Sequence, residues 1–264
     1  SGGVHSLCDE HRSALFYSSS HTGVIYDLVS RTQLLLQGHC NAISATAASE
    51  DRTRLVSADA GPDSMIVLWD SYSAKPIKSI HSPHPHGVAT LDLTPDARYL
   101  ATLSAGPGPQ VLSVWALEAG GDAPLFSAQV GTEEEPVETQ TSVRFKPDDP
   151  TELVTNGTSL VIFWSFVGGE LAHYAPPPAA GGLKQRVGSL TNTLFLPGSD
   201  RAISMTADGD SVLWGKVATL ELPEMEVSER RAIKLVKLHS AAIQCATVIG
   251  NLLVTGGAEG HVSR

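Results

Sequence analysis

The four tryptophans of this chain fall at positions 69, 115, 164 and 214, at intervals of 46, 49 and 50 residues. Spacing that even marks a repeat, and a repeat constrains architecture before any single residue does. Each tryptophan closes a short aliphatic or β-branched run: Met65-Ile66-Val67-Leu68-Trp69, Val111-Leu112-Ser113-Val114-Trp115, Leu160-Val161-Ile162-Phe163-Trp164 and Ser211-Val212-Leu213-Trp214. Val24-Ile25-Tyr26-Asp27 has the same form 43 residues before Trp69, with tyrosine in the aromatic slot. Runs of this length and composition read as strands.

A second strand precedes each aromatic one, at 53–58, 98–104, 152–155 and 201–206. Turn formers precede those: Ser49-Glu50-Asp51, Thr94-Pro95-Asp96, Lys146-Pro147-Asp148-Asp149 and Pro197-Gly198-Ser199-Asp200. Proline fixes φ there and aspartate bonds back to nearby backbone. A further apolar strand comes before the turn, as at 88–93 and 141–145, and another follows the tryptophan, as at 75–80. Four antiparallel strands per roughly 40 to 45 residues is the blade of a WD40-type β-propeller, here slightly lengthened by its loops. The expected fold is therefore all-β, with blades at about 1–36, 37–81, 82–129, 130–175 and 185–238, and part of a sixth at 239–264. A lone blade cannot bury both faces, and stacking in a ring does so. Five blades and a fragment would leave sheet edges open, so a ring of seven blades, completed beyond residue 264, is expected.

Composition removes several function classes. Lys plus Arg number 18 against 28 Asp plus Glu, a net charge of −10 that disfavours nucleic acid and anionic membrane partners. Cys8, Cys40 and Cys245 form no CxxC pair, which argues for neither a disulfide framework nor structural zinc and favours an intracellular compartment. The longest apolar stretch, 160–167, is too short for a membrane span. No Gly-rich phosphate loop or zinc-protease motif occurs, so no cofactor, metal or catalytic residue is expected.

The stretch from Gly38 to Asp70 carries the densest motif: Gly38-His39 opens it, Ser57 lies on the second strand, Asp63 precedes the aromatic by six residues, and Trp69-Asp70 closes it. This resembles the WD40 signature, and the resemblance implies a buried network of His39, Ser57, Asp63 and Trp69. A histidine, serine and aspartate together also raise hydrolysis. A hydrolase needs an exposed nucleophile elbow, however, and none surrounds Ser57. Ser204, Asp208 and Trp214 repeat part of the pattern without a histidine, while Pro109 and Thr158 occupy the acid position of the Trp115 and Trp164 units.

More specifically, 36–44 (Leu-Gln-Gly-His-Cys-Asn-Ala-Ile-Ser), Ser49-Glu50-Asp51-Arg52, the Ala58-Asp59-Ala60-Gly61-Pro62-Asp63-Ser64 insertion and Trp69-Asp70-Ser71 resemble the ciliary WD-repeat family called cilia- and flagella-associated protein 251. Residues 93–104, Phe145-Lys146-Pro147 and Glu152-Leu153-Val154 extend the likeness over roughly 34–214. The resemblance implies a scaffold of the motile-cilium axoneme at a radial spoke base, with partners among the calmodulin- and spoke-associated complex and tubulin. A rival reading is the substrate receptor of a ubiquitin ligase. Such receptors often carry arginine two residues after Trp-Asp, where this chain has Tyr72.

Partner contacts are expected on charged loops: Glu133, Glu134, Glu135 and Glu138 between two blades, and Glu224, Arg230 and Arg231 in an insertion at 220–234. A solvated loop is the plainer reading of the first group. His81, His84 and His86 could ligate a metal, but interleaved prolines and the lack of a completing ligand favour a solvent-facing loop. The Pro-rich run at 175–182 reads as a spacer, and Asp208-Gly209-Asp210 as a tight turn too short for a calcium loop.

Overall fold

The computed structural model describes residues 3–118, 121–132, 134–177, 183, 187–216, 229–250 and 252–264. Among these every regular element is a β-strand, and all pairings are antiparallel within six sheets. The chain divides into two compact units, Ser1–Val137 and Glu138–Arg264.

In the first unit β1 (His5–Ser6), β2 (Ala14–Ser19), β3 (Thr22–Asp27) and β4 (Gln33–Leu36) form the first sheet. The second contains β5 (Ile43–Ala48), β6 (Arg54–Asp59), β7 (Met65–Asp70) and β8 (Pro76–His81). The third contains β9 (Val88–Leu93), β10 (Tyr99–Ser104), β11 (Gln110–Ala116) and β12 (Phe126–Val130). In the second unit the fourth sheet is β13 (Ser142–Lys146), β14 (Asp149–Asn156), β15 (Val161–Ser165) and β16 (Ala172–Tyr174). The fifth is β17 (Leu190–Phe195), β18 (Ala202–Thr206), β19 (Asp210–Lys216) and β20 (Arg230–Lys237). The sixth has three described strands, β21 (Ile243–Ile249), β22 (Leu252–Gly257) and β23 (Val262–Ser263). Strand order within each sheet follows chain order, as in a meander.

The aromatic strands are continuously apolar because both of their faces are buried, unlike a half-exposed strand that alternates. On β7, Ile66 and Leu68 pack with Leu91, Leu93, Leu100 and Trp115 of the third sheet. Val67 and Trp69 of the same strand pack the other way, on Leu7, Phe16, Ile25 and Leu36 of the first. In the second unit Trp214 packs with Val154, Val161 and Phe163 of the fourth sheet. Truncating one such indole to alanine costs about 3–5 kcal/mol, so the tryptophan repeat is first of all a stability device.

The turns repeat as strictly as the strands. The Ser49 hydroxyl donates to Asp51 at 2.5 Å, Asp51 accepts Thr53 N–H at 3.0 Å, and Arg52 takes φ +62°. Thr94, Asp96 and Arg98 reproduce this at 2.7 and 3.1 Å, with Ala97 at φ +57°. The aspartate after Trp69 caps the next turn: Asp70 accepts the N–H groups of Tyr72 and Ser73 at 3.2 and 2.8 Å. Asp27 does the same for Val29 and Ser30 at 2.9 and 2.6 Å.

Two arginine-centred ties join neighbouring sheets. In the first unit Arg12 donates to Leu7 O at 3.1 Å, Ser71 O at 2.7 Å and Arg52 O at 2.8 Å. Its guanidinium lies 3.9 Å from the Tyr72 ring centre, and the Tyr72 hydroxyl donates to Asp9 at 2.6 Å. In the second unit Glu152 on β14 accepts from Arg230 of β20 at 2.7 Å and from Lys216 of β19 at 3.2 Å. Asp200 binds Lys146 and Lys216 at 3.0 and 3.1 Å, closing the cluster.

Candidate functional site

In the second sheet Trp69 Nε1–H donates to Ser57 Oγ at 2.8 Å, and Ser57 Oγ lies 2.7 Å from His39 Nε2. His39 Nδ1 stands 3.2 Å from Asp59 Oδ1. A carboxylate at Nδ1 keeps the proton on that nitrogen, so Nε2 accepts from the Ser57 hydroxyl while Ser57 accepts from the indole. Burial pushes the His39 pKa below the ordinary imidazole value, and the Asp59 charge offsets this only in part. The imidazole is accordingly neutral at pH 7.

The acid in this network is Asp59, which corrects the expectation of Asp63. Asp63 is exposed, at φ +54°, because Gly61-Pro62-Asp63 lengthens the β6–β7 turn and carries it outward. Counting six residues back from Trp69 overlooks that insertion. Asp59 lies two residues after Ser57 and so shares its face of β6. It also accepts Met65 N–H at 2.6 Å, Asn41 N–H at 3.0 Å and Asn41 Nδ2–H at 3.1 Å. One fully buried carboxylate thus holds both the insertion turn and the loop after His39.

Each other tryptophan finds its own hydroxyl. Trp115 donates to Thr102 at 2.9 Å, Trp164 to Thr155 at 3.1 Å and Trp214 to Ser204 at 2.8 Å. His84 Nε2 lies 2.9 Å from Thr102 Oγ1, 18 residues before it, the same separation as His39 from Ser57. His84 is therefore the third sheet's counterpart of His39. It is buried, not on a solvent-facing loop, and burial pushes its pKa down to about 4. His81 and His86 are exposed, and no group of three metal-ligating side chains gathers among the described residues. Equal spacing was the signal that could have found His84. In the sixth sheet His239 repeats the device, with Thr255 at 2.8 Å and Glu259 at 2.6 Å.

Asp208 does not join Ser204 and Trp214. It is exposed in the β18–β19 turn, where Gly209 takes φ +83°, and its carbonyl accepts from Lys237. The second partner of Ser204 is Thr193, at 2.7 Å.

None of these hydroxyls presents a nucleophile. Ser57, Thr102, Thr155 and Ser204 are no more than 1% exposed, and the indole N–H occupies the oxygen that would attack.

Among the loop residues expected at a partner surface, Glu134, Glu135 and Arg231 are exposed. Glu133 and Glu224 lie outside the described residues. Two others are corrected, because internal bonds consume them. Glu138 accepts the N–H groups of Ser159 and Leu160 at 2.7 and 2.6 Å and the hydroxyls of Thr158 and Ser159 at 2.8 and 3.0 Å. Burial raises its pKa, and those bonds outweigh it and hold the group ionised. Arg230 is 2% exposed, with its guanidinium 4.6 Å from the Phe163 ring centre and 5.0 Å from that of Phe195. Elsewhere in the first unit a groove of about 650 Å³ is lined by residues of the second and third sheets and their turns, Asp51, Arg54, Ile77, Lys78, Asp96 and Glu118 among others.

The CFAP251 N-terminal domain family matches residues 1–264. The chain belongs to this family. Cilia- and flagella-associated protein 251 of Chlamydomonas reinhardtii is 36% identical over 274 residues, covering 98% of this chain and 34% of that protein. The Tetrahymena thermophila protein of the same name is 36% identical over 276 residues, covering 98% of this chain and 27% of that protein. The CFAP251-family chain thus spans about a third or less of the length of these relatives. Among solved structures, the β-propeller domain of Cps50 (Swd1) from Myceliophteria thermophila aligns with a TM-score of 0.61 at 14% identity, covering 84% of this chain and 63% of that one. That likeness shows the fold, a β-propeller, and nothing of function.

Proposed function

We propose that this CFAP251-family segment is a non-catalytic scaffold of the motile-cilium axoneme, anchoring a radial spoke base and its associated complex to doublet microtubules by protein–protein contacts. The observation that carries the reading is the family match over residues 1–264, with relatives named for cilia and flagella. The way the polar chemistry is disposed supports it. The imidazoles of His39 and His84 and the hydroxyls of Ser57, Thr102, Thr155 and Ser204 are buried inside the sheets, while Glu134, Glu135 and Arg231 are left exposed. Binding surfaces commonly reside on loops held by a rigid scaffold.

The proposed partners are members of the spoke-associated complex and tubulin. The test is to tag the full-length protein in a ciliated cell and isolate axonemes. Retention in demembranated axonemes, with co-purification of radial-spoke base proteins, is the expected result. Exclusion from axonemes whose spokes have assembled would overturn the reading.

A further inference from the structure

Asp51 and Asp96 occupy the same position in two successive sheets, in the β5–β6 and β9–β10 turns. A backbone bond from Glu50 N–H to Pro95 O at 3.0 Å fixes one turn against the other. Both turns border the groove of about 650 Å³ in the first unit, as does the connection between β11 and β12 that carries Glu118 and Asp122. Consecutive strands run up and down, so these turns lie at the end of the sheets opposite the Gly61-Pro62-Asp63 insertion. The volume falls within the roughly 300–1,000 Å³ of ligand-binding clefts.

Leu68, Ala97 and Leu117, each no more than 9% exposed, give the groove an apolar base, and Ile77 on β8 stands 48% exposed beside them. A single exposed isoleucine is ordinary. One set in a groove among four carboxylates gives that groove two kinds of contact to offer. The charge of the lining is one-sided: Asp51, Asp96, Glu118 and Asp122 are all exposed, against two half-buried cations that are already engaged. Arg54 binds Asp70, which is not part of the lining, at 3.2 Å. Lys78 donates to the carbonyls of Gly121 and Ala116 at 2.8 and 3.5 Å.

We propose that this groove docks an extended basic segment of a partner protein, its Lys or Arg side chains set among the four carboxylates and an aliphatic side chain between them laid on Ile77 and Leu117. The proposal rests on the scaffold reading and adds to it the chemistry of one partner surface. Charge selects the occupant. An acidic segment meets like charge, and an uncharged one takes water from the carboxylates without replacing it. The bonded pair of turns holds the groove in shape before the partner arrives, which lowers the ordering cost of binding.

Selection from a random peptide library displayed on phage, against the purified full-length protein, tests this. Recovered peptides that share Lys or Arg on either side of an aliphatic residue are the expected result. Such a peptide, synthesised and labelled, binds the Glu118→Lys/Asp122→Lys variant roughly tenfold more weakly or worse. That variant leaves the bonded turn acids Asp51 and Asp96 in place. Glu134→Lys/Glu135→Lys, which changes the net charge equally on another loop, leaves the affinity unchanged, and Ile77→Ser removes the preference for the aliphatic residue. A library that returns acidic or uncharged peptides overturns the proposal, and so does one that returns none. Equal weakening by the two charge-reversed pairs overturns it too, because it reports only the overall negative charge of the chain. Self-association that Glu118→Lys/Asp122→Lys abolishes, with no basic consensus among the peptides, assigns the groove to a second copy instead. None of these outcomes depends on retention in axonemes, so a failure here leaves the scaffold reading standing, and exclusion from axonemes leaves the peptide result standing.

Discussion

The carboxylate of Asp59 shows how much one buried residue can carry. It faces a histidine and accepts three N–H groups from two separate loops. Asp59→Asn retains the shape but removes the charge and turns one acceptor into a donor aimed at donors, so a loss of about 2–4 kcal/mol in urea unfolding is expected. Asp63→Asn, on the exposed turn, should stay within about 0.5 kcal/mol. If both changes cost the same, Asp59 does not hold the two loops in place. His84 makes a pH prediction of definite sign. Its pKa falls from an ordinary 6.5 to about 4 on folding, so the unfolded chain binds the proton more tightly. The stability held by neutral His84 is complete above pH 6.5 and is lost as the pH falls toward 4, by up to roughly 3 kcal/mol. The difference in stability between wild type and His84→Gln, followed from pH 7 to pH 4, should shrink accordingly. A constant difference would show that the imidazole does not change charge preference on folding.

At the scale of strands and turns, much was legible in the sequence, because a strand buried on both faces has an unmistakable composition. Met65 to Trp69 and Leu160 to Trp164 announce themselves as continuous apolar runs, and Ser49-x-Asp51 and Thr94-x-Asp96 announce their turns. The acid of the network was not legible, since the Gly61-Pro62-Asp63 insertion shifted the spacing on which the motif depends. Arg230 and Glu138 misled for another reason. A charged residue in a charged segment looks solvated until the partner that binds it, Glu152 or the 158–160 turn, arrives from elsewhere in the chain. Arg12 belongs to the same class and joins the first sheet to the turns of the second. Arg12→Lys keeps the charge but loses the planar fork that reaches Ser71 and Arg52 together, along with the face laid on Tyr72. A loss of about 1–3 kcal/mol is expected. Hydrogen exchange should show weaker protection in β2 and β3 than in β10 and β11, and an even loss throughout would contradict a local role for Arg12.

At the scale of the whole molecule, meander sheets that pack on their neighbours within each compact unit make stability a sum of sheet terms and nearest-neighbour interfaces. Every tryptophan–hydroxyl pair closes within its own sheet, so the damage from breaking one should remain where it is made. A scaffold benefits from this, because loops on one sheet can diversify while the others hold their geometry. Double-mutant cycles measure that independence. His39→Ala and Trp214→Phe lie in different compact units and share no hydrogen-bond partner. Their costs should add to within about 0.5 kcal/mol. His39→Ala and Asp59→Asn act in one network and should fall short of additivity by about 1 kcal/mol or more, because the first change already leaves Asp59 without its imidazole. Strong coupling between His39 and Trp214 would mean that the sheets do not contribute separately, and that a local change in one is felt throughout the chain.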